Sequence, residues 1–274
     1  MKKILITILI PLLGLNLQIL AQGNLLVSPV RVVFDGKKQK EELSLVNTGN
    51  DTAIYSVSFL QYNMTEDGGF EIIDKPNEGQ MFADPYLRIF PRKVTLAPRE
   101  SQVIRLELRR KSDLKAGEYR SHVYFRAEKG SSPLGMEVKS KDTALMSVQI
   151  TPVFGISIPI IIRTGDVKVT STLSDLKLEK IDTIQNLKLT LNRTGNISVY
   201  GDLIVDFIPN NGKSVEIGLV RGIAVYTNIN KRNVSIRLNQ TANVLNLKNG
   251  KIKVRFTSPK DTPYLVYAEQ EIAL

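Results

Sequence analysis

Apolar and polar residues alternate with a period of two along most of the chain after residue 24. Val103, Arg105 and Glu107 alternate with Ile104, Leu106 and Leu108, while Tyr55, Val57 and Phe59 occupy every second place. Met146, Val148 and Ile150 likewise alternate with Ser147, Gln149 and Thr151. Successive side chains of a strand point to opposite faces, so this period predicts half-buried strands. Turn signals punctuate the runs at Asn47-Thr48-Gly49-Asn50, at Asp67-Gly68-Gly69 and at Pro98. No helical period competes with them. Short strands at this spacing predict an all-β chain made of β-sandwiches.

A local signal sharpens that expectation. In Asp113-Leu114-Lys115-Ala116-Gly117-Glu118-Tyr119-Arg120-Ser121 a tyrosine enters a strand just after a turn. In immunoglobulin-like sandwiches a tyrosine so placed bonds back to the preceding corner, two residues before a cysteine. Ser121 holds the cysteine's place here. The chain also repeats itself. Leu43-Ser-Leu-Val-Asn-Thr-Gly-Asn50 matches Leu189-Thr-Leu-Asn-Arg-Thr-Gly-Asn196 at five identical positions and one Ser/Thr exchange. Each copy leads into a further strand, ending in Val57-Ser58-Phe59 and Val205-Asp206-Phe207. Two related sandwiches are therefore expected, over 24–163 and 166–274. The apolar run from Val153 to Ile162, closed by Arg163, would lead stiffly from one into the other and set them at an angle with a cleft between.

Composition narrows the function classes. Lys2 and Lys3 precede apolar runs broken by Gly14, Asn16 and Gln18 and ending at Ala21-Gln22, the pattern of a secretory signal peptide over 1–21. A membrane anchor needs about 20 unbroken apolar residues, so a soluble exported chain with no membrane insertion is expected. The chain has no cysteine, so each domain must rest on its own core. The formal charge of +10 falls to +8 once Lys2 and Lys3 leave with the leader. Tryptophan is absent and other aromatics are sparse, which argues against nucleic acid as the partner of this charge. The single histidine, His122, lies in a strand on the face alternate to Tyr119 and Val123, where a structural or solvent-facing role is the expectation. No nucleophile motif, phosphate loop or two-histidine metal spacing is present, so no enzyme activity, cofactor or metal is expected.

The segment Val27-Ser-Pro-Val-Arg31-Val-Val-Phe34-Asp-Gly36 reads as a β-branched strand carrying one arginine. Alternation puts Arg31 on the face of Val27 and Val33, with Val30, Val32 and Phe34 on the other. A guanidinium is always charged, and its planar fork suits a carboxylate. From this strand alone an exposed, solubilising arginine is the favoured reading.

The ordered set of motifs around it changes the balance. The chain resembles the periplasmic pilus-assembly chaperones of the chaperone–usher system. That resemblance rests on Arg31-Val-Val-Phe34-Asp35-Gly36, on Asn47-Thr48-Gly49 before Tyr55-Ser-Val57, and on Phe90-Pro91-Arg92-Lys93-Val94-Thr95-Leu96-Ala97-Pro98. It continues through Ser101-Gln102-Val103-Ile104-Arg105-Leu106 and Gly117-Glu118-Tyr119-Arg120-Ser121-His122-Val123-Tyr124-Phe125. Met64-Thr65-Glu66-Asp67-Gly68 and the stretch from Gly155 to Arg163 are similar to the branch that builds archaic-type pili. It covers nearly all of the first domain, whereas the second matches only in length, β character and position.

The resemblance implies two immunoglobulin-like sandwiches and a non-catalytic role in the periplasm. Such a chaperone lends a strand to a fimbrial subunit whose own sandwich lacks one, then delivers the subunit to an outer-membrane usher. The lent strand would run along 144–151, inserting Met146, Val148 and Ile150. Arg31 would bind the carboxylate at the subunit's C-terminus and so set the register of that strand. The same alternation also fits core positions of an ordinary edge strand, and the segment by itself does not separate the two. The family pairs its arginine with a lysine, but no lysine lies between Asp142 and Gly165, and Lys139 and Lys141 are near only in sequence. The family's salt-bridge glutamate is expected to be missing, since Arg120 stands close to where it would fall. A second copy of the chain is a candidate cap for the lent strand in the free protein. The competing class is a two-domain surface adhesin or structural protein, which would share the leader and sandwiches but has no reason to carry this set of motifs.

Overall fold

The computed structural model describes residues 24–36, 38–109, 114–128, 153–182, 184–239, 247 and 249–274. Strands dominate the described residues, because the period-two alternation lets each sheet bury one face. The first half contains β1 (Leu25–Ser28), β2 (Val32–Phe34), β3 (Lys40–Asn47), β4 (Ala53–Leu60), β5 (Tyr62–Met64) and β6 (Phe70–Ile72). It continues with β7 (Leu87–Phe90), β8 (Lys93–Leu96), β9 (Ser101–Leu108), β10 (Gly117–Ala127) and β11 (Gly155–Thr164). One sheet has the order β1-β3-β9-β7 and the facing sheet the order β2-β11-β10-β4-β8. Leu43 and Leu45 of β3 and Ile104 and Leu106 of β9 meet Tyr55, Val123, Phe125 and Ile160 in one core.

The second half repeats the plan. Its strands are β12 (Val169–Ile181), β13 (Ile184–Gly195), β14 (Val199–Pro209), β15 (Val215–Val225), β16 (Lys231–Arg237), β17 (Gly250–Thr257) and β18 (Val266–Ala273). They form sheets β12-β13-β16 and β15-β14-β17-β18 around a separate core that includes Leu189, Leu191, Val205, Phe207 and Phe256. The chain is thus all-β, with two sandwiches, each closed around its own apolar cluster.

The internal repeat has a structural meaning. Leu43 and Leu45 stand in the first core as Leu189 and Leu191 stand in the second. At one of the places where the two copies differ, Asn47 against Arg193, both side chains are buried and both gather backbone carbonyls. Asn47 Nδ2 donates to the carbonyls of Asp51, Leu96 and Ala97. Arg193 donates to those of Gly195, Ile197, Thr227 and Ile229. A buried donor set without a carboxylate is satisfied here by carbonyl dipoles alone.

The corner signalled by sequence is present: Lys115 N–H donates to Tyr119 Oη at 2.9 Å. Ser121, in the place of a cysteine, is buried and its Oγ accepts the N–H groups of Ala83 and Asp84, both at 2.9 Å. One expectation fails. The continuous strand over 27–36 is two strands in opposite sheets, since β1 pairs with β3 while β2 runs parallel to β11. Pro29 has no N–H to give a ladder, so the chain leaves one sheet there and crosses to the other. Arg31 therefore precedes β2 rather than sharing a strand face with Val27, and Val30 is 67% exposed while Val32 and Phe34 are buried.

A hairpin ties the sandwiches together. β5 and β6 pair across the turn at Asp67-Gly68-Gly69, with Gly68 at a φ of 87° that favours glycine. Met64 packs in a small cluster with Ala224 and Tyr226 of the second half. Asn228 Nδ2 donates to Asn63 Oδ1 and to the Met64 carbonyl, each at 2.8 Å. Asn233 N–H donates to the Glu66 carbonyl at 2.7 Å.

Candidate functional site

The site begins with β10, a strand buried on both faces. Tyr119, Val123 and Phe125 point into the first core. Glu118, Arg120 and His122 share the opposite face, and all three are buried although polar. Charged groups tolerate such burial only when paired, and the pairing here crosses between the sandwiches. Glu118 Oε1 accepts from Arg120 Nη2 at 2.6 Å, and Oε2 accepts from Arg163 Nη2 at 3.1 Å. Ser198, just before β14, adds its Oγ–H at 2.8 Å and its N–H at 3.1 Å to the same Oε2. Burial alone would raise the Glu118 pKa, but Arg120, Arg163 and Ser198 hold the carboxyl down at about 2.

Arg120 is itself sandwiched. Its guanidinium carbon lies 3.8 Å from the centre of the Tyr226 ring, and Nη2 also donates to Ser198 Oγ at 2.7 Å. His122 Nε2 lies 3.1 Å from Tyr226 Oη, and the His122 ring meets Tyr62 edge-on. Burial, with Arg120 and Arg31 nearby, pushes the imidazole pKa down to about 3, so the ring is neutral at ordinary pH.

Arg31 reaches the same cleft from the other side. Its guanidinium carbon sits 4.4 Å from the centre of the Tyr200 ring on β14, a cation–π contact. Among the described residues it makes no hydrogen bond and no ion pair. Desolvation first, then the charges of Arg120 and Arg163, lower its pKa to about 10, with Glu118 opposing them. Three guanidiniums thus surround one carboxylate, and that carboxylate is already saturated by the other two. The arrangement leaves Arg31 as a partly desolvated cation, well suited to an incoming anion.

The sequence-predicted residues fare unequally. Arg31 lies in the cleft between the sandwiches, half-buried rather than on an open strand face. Met146, Val148 and Ile150, with Lys139, Lys141 and the leader over 1–21, lie outside the described residues. His122 is neither solvent-facing nor isolated. Against the expectation that a salt-bridge glutamate is missing, the cleft holds one at Glu118, two positions before Arg120, and neither Ser198 nor the role of Arg163 was anticipated. A signal for it existed: Glu-x-Arg-x-His at period two puts three polar groups on one face of a strand whose other face is core. No group of acidic, histidine or cysteine side chains among the described residues could hold a metal. No helix among them is long and apolar enough to cross a membrane.

No family model matches the chain, and no curated protein matches it. Among solved structures it is similar to the YadV chaperone, at 14% identity and a TM-score of 0.46 over 92% of this chain and 100% of that one. It is also similar to the E. coli chaperone DraB, at 13% identity and a TM-score of 0.44 over 91% and 96% of the two chains. The Pseudomonas aeruginosa CupB2 chaperone aligns at 11% identity and a TM-score of 0.43 over 91% and 100%.

Proposed function

We propose that the mature chain is a periplasmic assembly chaperone of a Gram-negative cell, with 24–163 as the chaperone domain and 166–274 as the second wall of the cleft. It binds fimbrial subunits as they arrive, lends them a strand, and hands them to an outer-membrane usher without an energy source. The observation that carries this reading is Arg31: a guanidinium in a cleft, stacked on Tyr200 and, among the described residues, without an ion pair, the nearby Glu118 being taken by Arg120 and Arg163. A subunit's terminal carboxylate supplies the missing charge at the end of a chain, where it can fix register. The strand to be lent is assigned to 144–151, immediately upstream of β11, with Met146, Val148 and Ile150 inserted into the subunit's open groove.

The test is co-expression with the small exported proteins encoded beside it, followed by pull-down. Arg31→Ala should lose the subunits while keeping the thermal transition of the parent, because among the described residues Arg31 makes no ion pair. A charge at Val148 should block the complex equally. Subunit capture retained by Arg31→Ala removes the anchor, and capture retained by Val148→Asp removes the strand.

A further inference from the structure

Two nitrogens buried in the cleft have no hydrogen-bond partner among the described residues: Arg120 Nη1 and His122 Nδ1. The residues that carry them are only 9% and 4% exposed. They lie two apart on one face of β10 and line one pocket, together with Gln80, Met81 and Phe82 from the first sandwich and Tyr226 from the second. The pocket has room for a group the size of one water molecule or one carboxylate oxygen. An N–H left unpaired in such a place costs the desolvation of the group, and a charged N–H costs the most.

The chemistry of the lining selects what enters. Tyr226 Oη can donate its hydrogen to His122 Nε2, which leaves the hydrogen of the neutral ring on Nδ1. Gln80 is held by bonds at both ends of its amide, its carbonyl oxygen accepting from Asn77 N–H and its nitrogen donating to the Tyr62 carbonyl. The pocket then presents two N–H donors, one of them on a guanidinium, beside a cleft in which positive charge exceeds negative. Such a setting favours an anion over a neutral group of equal size.

We propose that this pocket is an anion position distinct from Arg31, receiving one carboxylate oxygen from Arg120 Nη1–H and His122 Nδ1–H. The anion specificity stands on the pocket's own geometry. It rests on the chaperone reading only for the source of the carboxylate, the end of a subunit chain whose other oxygen faces Arg31.

His122 is the only histidine in the chain, so its ring nitrogens give an unambiguous signal in a ¹⁵N-labelled sample. The full mature protein is titrated with sodium formate, the smallest carboxylate, and in parallel with sodium chloride and with neutral formamide. The free protein should show a hydrogen-bearing Nδ1. Formate should shift that resonance saturably, and formamide should leave it in place. Arg31→Ala should retain the formate response even where it loses subunit capture, which separates the two sites. A bare Nδ1 in the free protein overturns the proposal, as does an Nδ1 unmoved by formate or moved equally by formamide. Saturation by chloride without a formate response makes the pocket a halide site and overturns the carboxylate assignment. Failure of the formate titration with intact dependence of capture on Arg31 removes the pocket alone. A formate response alongside subunit capture that ignores Arg31 removes the chaperone anchor alone.

Discussion

The buried imidazole makes stability depend on pH in a window where little else titrates. His122 packs among Arg120, Arg31, Tyr226 and Tyr62, and its folded pKa is about 3 against 6.5 for the free side chain. The unfolded chain therefore binds a proton as pH falls below 6.5 that the folded chain refuses. Stability rises with pH wherever the unfolded state binds more protons, so here it must fall on acidification. Between pH 7.5 and 5 the folded ring stays neutral while the unfolded ring gains its proton almost fully. The loss works out at about 2 kcal/mol, from roughly 1.4 kcal/mol per pH unit over about one and a half units. Carboxylates with ordinary or depressed pKa values contribute little above pH 5. For a chain of this size, that loss lowers the melting temperature by roughly 4–8 °C. The assay is urea denaturation at pH 7.5, 6 and 5 for the parent and for His122→Gln, which keeps a neutral hydrogen-bonding side chain. The parent should lose stability across the series, and the variant should be flat whatever its stability at pH 7.5. A parent whose midpoint is unchanged from pH 7.5 to 5, or a variant with the parent's slope, refutes the reasoning.

Other perturbations probe the remaining supports. Glu118→Gln leaves Arg120 and Arg163 without their counter-charge in a buried site and should cost about 3–5 kcal/mol at pH 7 by denaturant titration; a cost below about 1 kcal/mol would show the cluster to be well solvated. The Glu118 pKa is held below its ordinary value, so its stabilisation is complete above pH 4.5 and disappears as pH falls through 2. In the variant, the share of acid destabilisation due to this carboxylate should vanish. Tyr119→Phe removes the acceptor of the Lys115 N–H and should cost about 1–2 kcal/mol, with no effect on subunit capture; a neutral thermal scan argues that the corner holds without it.

Much of the architecture was legible in the order of residues, because β-structure writes its period directly into sequence. Leu43, Leu45, Ile104 and Leu106 declare their core face by alternation, and the same spacing at Leu189 and Leu191 announced a second sandwich. Tyr119 marked its corner through a local bond only four residues long. The break at Pro29 was also written in the chain, yet the β-branched run around it hid the change of sheet, since a period of two says nothing about which sheet a strand joins.

The cleft belongs to the tertiary structure. Glu118 meets Ser198 across 80 residues of sequence, and His122 meets Tyr226 across 104. Arg31 gains its meaning only because Tyr200 covers it and because Arg120 and Arg163 have already claimed the nearby carboxylate. Alternation reports which face of a strand is buried against its own sheet partner. It cannot report that the opposite face is covered by a second domain, because that depends on the angle between two sandwiches. That angle is held by side-chain contacts that no local pattern encodes.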